Sequence, residues 1–404
     1  MSQAATPSPA VFPVAIGGLL SLVASMGIAR FMFTPILPFM VEDAGLTPGE
    51  GGLIASANFL AYMVGALAAA SGRLTEFLPG DRRSIFLSAI AASAISTAAM
   101  GLFDTVAVFM VIRFISGLSS AYVLVFGSAL VMDRINAAGR PGLVALYFSG
   151  VGFGMAGSAI LVAGLAAAGA DWRSFWYAGG VVTAVVLVIC AILVEPAPEP
   201  KIARHTRSTR PSRQLVALYV SYGLFGFGYV ITTTFISTMA RMSPALSPYE
   251  TEIWTALGFA AIPSVALWVA TARRIGNARA YALACLVEAL GVSLTVISDS
   301  GLVVVVGGMM VGGTFIAITA VGLMQARLLT RGDPQASVAL MTASFGLGQM
   351  VGPTIAGLVH DATGSFTLPS LAAATALVVA SGLAVLPLPE AETETGTEAE
   401  TEAA

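Results

Sequence analysis

The feature that most constrains this chain is a series of long apolar stretches that recurs over nearly its whole length. A helix of about 20 such residues crosses a hydrocarbon core of about 30 Å. Only 10% of the residues are charged and 57% are hydrophobic, whereas an ordinary soluble domain has about 25% charged residues. The sequence therefore predicts an all-α membrane protein whose partner is the lipid bilayer, and we expect no nucleic-acid partner.

Hydropathy and Pro/Gly breaks predict twelve membrane spans in two sets of six. We expect an N-terminal tail at 1–11, a first bundle at 12–194, a basic cytoplasmic linker at 195–213, a second bundle at 214–389 and a disordered acidic tail at 390–404. The predicted spans begin and end at about 12–41, 49–72, 83–103, 105–133, 141–168, 172–194, 214–240, 249–272, 277–298, 301–329, 335–360 and 365–388, each boundary being good to roughly 2 to 4 residues.

Basic residues predict the orientation, because Lys and Arg are retained in the short cytoplasmic loops. Fifteen of the 19 Lys and Arg fall at even-numbered connections, whereas only Arg173 and Arg241 fall at odd-numbered ones. We therefore expect a multi-pass protein of the bacterial inner (plasma) membrane with both termini in the cytoplasm.

A weak internal repeat relates the two sets of spans at an offset of 196 to 199 residues. Gly27 and Thr34 fall opposite Gly226 and Thr233. Gly150-Val-Gly152 in the fifth predicted span likewise falls opposite Gly346-Leu-Gly348 in the eleventh. This pattern is typical of a duplicated transporter unit and predicts two pseudo-symmetric six-helix bundles.

Four segments resemble the major facilitator superfamily, and two of them its YbfB/YjiJ-type branch. They are GIARFMFTPILPFM in the first span, ASANFLAYMVGAL in the second, RFISGLSSA in the fourth, and Gly352-Pro353 with Gly357 in the eleventh. The resemblance implies the major facilitator fold, with a central cavity between two bundles that rock by alternating access. It also implies that Arg113 takes part in coupling.

Two segments depart from the usual pattern of that superfamily. The loop after the second span reads GRLTEFLPGDRR, in which the acid and the arginines are out of the usual register. The fifth span contains GVGFGMAGSA, without the proline found in many antiporters. The resemblance therefore assigns neither a cytoplasmic gate network nor exchange with protons.

Two arginines lie inside predicted spans, where a charge is costly and usually faces a wet cavity or a partner. For Arg30 we expect either a donor fork for an anionic group of the solute or a structural tie to carbonyl groups. Arg113 shares one helix face with Ser116, Gly117 and Ser120. It is either a coupling residue or a packing residue of the bundle interior.

Further substrate-binding candidates are polar side chains that recur at helical spacing on other spans. A cavity with arginines on one wall and aromatic hydroxyl groups on the other suits a small anion with an apolar or aromatic part. The alternative for each of these residues is a role in packing between helices. The candidates beside Arg30 are Thr34, Asn58, Tyr62, Tyr222, Tyr229, Thr233 and Gln349.

Glu288 is the acid that lies well inside an apolar stretch, near the middle of the ninth predicted span. Burial disfavours the charged form of an isolated carboxyl group. We expect Glu288 either to carry a coupling proton or to be a protonated structural group.

The sequence contains no nucleotide-binding loop, metal-ligand cluster or nucleophile motif in a polar segment that could hold it. We therefore expect no enzyme activity, no cofactor and no metal. The favoured function is a secondary active transporter of a small organic solute, with an organic anion as one candidate, and we expect it to be coupled to protons. The alternatives are an exporter of uncharged amphipathic solutes and a membrane receptor that keeps the transporter fold without transport.

Overall fold

The computed structural model describes residues 11–70, 80–140, 142–196, 211–331 and 334–386. Within these ranges, twelve helical segments are long and apolar enough to cross a membrane, which confirms the predicted number. We call them spans 1 to 12. They are Val11–Asp43, Pro48–Ala69, Arg82–Leu102, Val106–Ala137, Gly142–Ala167, Trp172–Leu193, Arg213–Met242, Ser247–Ile275, Asn277–Ile297, Gly301–Leu329, Pro334–Thr363 and Thr367–Val385.

The observed bounds of the described spans agree with the predicted ones within the expected margin, and the largest difference is in span 4, which continues to Ala137 rather than ending at 133. Several predicted features lie outside the described residues, namely the end of span 2 at 71–72, most of the linker and both terminal tails.

The packing repeats between the two halves of the chain, spans 1 to 6 and spans 7 to 12. Span 1 packs on span 5, span 2 on span 4 and span 3 on span 6, and the same pairs recur as 7 with 11, 8 with 10 and 9 with 12. Contacts between the halves are formed by spans 1 and 7, 2 and 11, and 5 and 8. This is the arrangement of two pseudo-symmetric six-helix bundles that the sequence predicts.

Span 1 is interrupted, although the sequence predicts one continuous helix. An α-helix over Val11–Leu22 is followed by a π-helix over Val23–Ile28, by turns at 29–32 and by a second α-helix over Phe33–Asp43. In the π-helix the N–H of Ala29 donates to the carbonyl of Ala24 at 2.8 Å, one residue further than in an α-helix. Pro35 lacks an N–H and cannot continue the ladder.

Close packing holds the interrupted segment in place. A Cβ atom added at Gly154 of span 5 would lie 2.6 Å from the Cα of Gly27, so the two backbones touch. Small residues allow such approach between helices in lipid. The interruption is therefore fixed against span 5 at the depth where Arg30 lies.

Candidate functional site

Arg113 of span 4 binds the interruption of span 1. Its Nη1 donates to the carbonyl oxygen of Ala29 at 2.5 Å and its Nη2 to that of Arg30 at 2.9 Å. These carbonyls belong to the turns, so the helix does not use them. Ser116 and Ser120, one and two helical turns further, donate to the carbonyls of Ala29 and Ser25. The polar face predicted for span 4 thus donates hydrogen bonds to backbone carbonyls of span 1. These carbonyls need protein donors because lipid has no hydrogen-bond donors to offer them.

Arg30 is 3% exposed and is surrounded by aromatic rings. The guanidinium carbon lies 4.2 Å from the ring centre of Tyr62 and 4.7 Å from that of Phe59, both on span 2. These distances are within the range of cation–π attraction. Two of its nitrogens, Nε and Nη2, are buried and have no hydrogen-bond partner.

The two unpaired nitrogens of Arg30 form one edge of the guanidinium group. Their N–H bonds point in parallel, which is the geometry that binds both oxygens of a carboxylate. No acid among the described residues forms an ion pair with Arg30. An unpaired buried donor is costly, so this edge is the best candidate contact for an anionic group.

Aromatic rings of the second half form a stack opposite Arg30. Tyr229 of span 7 is nearly parallel to Phe345 of span 11, with 5.8 Å between ring centres, and to Phe315 of span 10, with 5.5 Å. Phe225 stacks on Tyr229 at 5.2 Å. The stack reaches the first half through Phe31, which meets Phe315 edge to face at 5.9 Å.

Polar groups of the second half that were predicted from the sequence lie within this stack. Gln349 of span 11 donates a hydrogen bond to the phenol oxygen of Tyr229. Tyr222 packs against Phe345 at 5.1 Å, and its hydroxyl group lies 3.5 Å from the carbonyl oxygen of Thr319.

Three other candidates use their side-chain donors on protein carbonyls. Thr34 donates to the carbonyl oxygen of Thr233 at 2.6 Å, whereas the Thr233 hydroxyl donates to carbonyls of its own helix. Asn58 donates to the carbonyl oxygen of Arg113 at 2.9 Å, which joins spans 2 and 4, and its amide oxygen is buried without a partner. The side chains of Thr34 and Asn58 therefore join helices, and that of Thr233 does not.

Glu288 of span 9 is fully buried, and neither carboxyl oxygen has a hydrogen-bond partner. Among the described residues it forms no ion pair, and Cys285, one helical turn earlier on span 9, is buried beside it on the same helix face. The described residues contain no group of three or more His, Cys, Asp or Glu that could hold a metal ion.

Sequence reasoning missed the rings that surround Arg30 and Tyr229, namely Phe59, Phe225 and Phe315. Phe59 precedes Tyr62 by three residues, a spacing that places both on one helix face. In an apolar span, however, phenylalanine is common on every face. Only packing shows which rings point inward.

The family described as "Uncharacterised MFS-type transporter YbfB" matches residues 22–385. Among solved structures, the human organic anion transporter MFSD10 (TETRAN) is 17% identical, with a TM-score of 0.68, 93% of this chain covered and 100% of that chain. The nucleoside transporter NupG is 14% identical, with a TM-score of 0.67, 92% of this chain covered and 98% of that chain. No curated protein sequence matches the chain. At these identities the two structures show a shared fold.

Proposed function

Since this chain belongs to the YbfB-type family of major facilitator transporters, we propose that it is a secondary active transporter that moves a small organic anion by alternating access. The twelve spans in two similar halves provide the two bodies that such a mechanism moves against each other. The finding that carries the choice of an anion is Arg30, whose paired donors are buried and unoccupied.

The surroundings of Arg30 support a solute with a flat apolar part. An anionic group on Nε and Nη2 would place the rest of the solute among Tyr62, Phe59 and the stack around Tyr229. Flat rings attract one another in offset or edge-on arrangements. MFSD10, which shares this fold, is a human organic anion transporter.

The experiment is uptake by purified protein in liposomes, with pairs of aromatic carboxylic acids and their neutral amides. We expect saturable uptake of at least one acid and none of its amide. A thermal-shift screen selects the pairs, because a ligand that binds only the folded state raises stability. Uptake of amides and acids alike would support the alternative, an exporter of uncharged amphipathic solutes. Tight binding without transport would support a receptor.

We further propose that both termini lie in the cytoplasm, as the basic residues predict. A cysteine introduced at exposed Pro248, in the first turn of span 8, should be labelled only from outside. Cysteines at Arg204 and Ala391, which lie outside the described residues, should be labelled only from the cytoplasm. Labelling of the Pro248 site from inside would contradict this orientation.

A further inference from the structure

Within the described residues, which leave out 71–79 and 332–333, the polar contacts between the two halves lie toward one end of the spans. Every hydrogen bond or ion pair that joins described residues of different halves lies in the part of the spans nearest Glu42, Glu250 and Asp361. The contacts are Thr34 with Thr233, Glu42 with Arg241, Thr47 and Gly49 with Asp361, Ser56 with Thr354, and Ser158 with Trp254. By the proposed orientation this is the outer end.

Asp361, near the end of span 11, binds the first turn of span 2 in the other half. Its carboxylate accepts hydrogen bonds from the Thr47 hydroxyl at 2.8 Å and from the Gly49 N–H at 3.1 Å. Free N–H groups and the helix dipole make the start of a helix favourable for a negative charge. Span 2 therefore receives part of its N-terminal capping from the opposite half.

Arg241 forms the second charged contact at this end. Its Nη1 lies 3.1 Å from a carboxylate oxygen of Glu42 in the first half, and its Nε lies 2.7 Å from one of Glu250 in its own half. The guanidinium carbon also lies 3.6 Å above the ring of Phe39.

Both contacts can break without leaving their groups unpaired. If the halves separate, Arg241 keeps Glu250. Thr47 keeps Glu50, since the Thr47 N–H donates to the Glu50 carboxylate at 2.9 Å and the Glu50 N–H to the Thr47 hydroxyl at 3.2 Å. The carboxylate of Asp361 is already 32% exposed to solvent. When the halves separate, water and partners in the same half therefore replace these contacts at low cost.

The repeat-related junction, between spans 5 and 8, has no counterpart of Asp361. The offset of 196 to 199 residues places the apolar sequence VAGL, residues 162–165, opposite that acid. Here a cavity of 150 Å³ lies between Ala159 and Ala163 of span 5 and Glu250 and Trp254 of span 8. The junction of spans 2 and 11 therefore has an acid that caps a helix of the opposite half, whereas the junction of spans 5 and 8 has none at the equivalent position.

We propose that Asp361 with Thr47 and Gly49, together with Glu42 and Arg241, forms a reversible latch that holds the halves closed at this end. The inference rests on the proposed alternating access. Opening at this end removes from span 2 the cap that Asp361 of the opposite half provides, and it separates Arg241 from Glu42. The partners in the same half, Glu250 and Glu50, then keep Arg241 and Thr47 in position for closure.

The test is a spin-label distance measurement on the full chain without solute. Labels on cysteines at exposed Ala168 and Asp299 report the distance between the halves at this end, and both native cysteines are buried. Asp361→Ala should raise the ratio of separated to closed molecules about tenfold, which corresponds to about 1.4 kcal/mol. Glu42→Gln leaves every helix cap intact and should raise the ratio by a smaller factor, about threefold.

Asp171 provides a matched control, since it caps span 6 within one half at the same end. The hydroxyl and N–H groups of Ser174 donate to it at 2.7 and 3.0 Å and hold its pKa below the ordinary value. Asp171→Ala should lower thermal stability without changing the ratio. Equal shifts in Asp171→Ala and Asp361→Ala, or no shift in Asp361→Ala and Glu42→Gln, would overturn the latch. Because no solute is present, these results do not depend on whether transport of an anion is found.

Discussion

The two halves share one packing scheme but place different chemistry on the facing walls. At the repeat offset of 199, Arg30 in span 1 corresponds to Tyr229 in span 7. A cation in the first half thus takes the place of a neutral aromatic group in the second. The wall of the first half carries the arginines, whereas that of the second half carries stacked rings and Gln349. A duplicated scaffold thus supplies symmetry for movement, and substitution at equivalent positions supplies an asymmetric site.

The two arginines of the first half also differ in how their donors are used. Arg113 places Nη1 and Nη2 on backbone carbonyls of span 1 and leaves only Nε unpaired, whereas Arg30 leaves both Nε and Nη2 unpaired. From this difference we propose a structural role for Arg113 and a binding role for Arg30. The difference favours the packing alternative for Arg113, although a part in coupling through span 1 stays a prediction.

The largest expected effect concerns the acid of the second half. If Glu288 carries the coupling proton, Glu288→Gln should abolish proton-driven accumulation and leave exchange of solute for solute, because the amide mimics the protonated carboxyl group. Both reactions can be measured in proteoliposomes. Glu252→Gln changes an exposed acid of span 8 and serves as the control. Undiminished accumulation in Glu288→Gln would make Glu288 a structural residue.

Removal of the unpaired cation should give the next largest effect. Arg30→Ala should weaken solute binding by roughly 2 to 5 kcal/mol if the charge pair is desolvated. Arg30→Lys should also impair binding, because lysine keeps the charge but loses the planar pair of donors. Affinity of the folded variants is compared with their thermal stability. Normal affinity in both variants would rule out the anion site and favour the structural alternative.

The paired arginine should behave in the opposite way. Arg113→Met leaves the carbonyl of Arg30 without a donor and that of Ala29 with Ser116 alone, at a cost of about 2 kcal/mol. We expect the melting temperature in detergent to fall by roughly 2 to 3 °C, with solute affinity near normal in the protein that remains folded. A loss of affinity with unchanged melting temperature would exchange the roles assigned to the two arginines.

The smallest expected effect comes from the phenol group that corresponds to Arg30. Tyr229→Phe keeps the stacked ring and removes the hydrogen bond with Gln349, so affinity should fall by about 1 kcal/mol, or roughly fivefold. Tyr222→Phe is the control, because the hydroxyl contact of Tyr222 with Thr319 is 3.5 Å long and contributes little. Equal losses in both variants would mean that the hydroxyl of Tyr229 has no special part in binding.

The sequence by itself determined the spans, their number, the division into similar halves and the family, because each rests on local patterns. A run of apolar residues must be helical in lipid wherever it packs. It also identified Arg30, Arg113 and Glu288, since a charge inside such a run stands out.

Tertiary structure decided the uses of these groups, because a partner distant in sequence leaves no local pattern. The interruption of span 1 became visible with its π-helix, and only then did Ala29 and Arg30 appear as the acceptors for Arg113. The inward rings among many phenylalanines, and the cap that Asp361 gives to a helix more than 300 residues away, follow from packing between helices. In lipid every backbone polar group must find a protein partner, and only the folded chain shows which partner it has found and which side-chain donors, such as Nε and Nη2 of Arg30, stay unpaired.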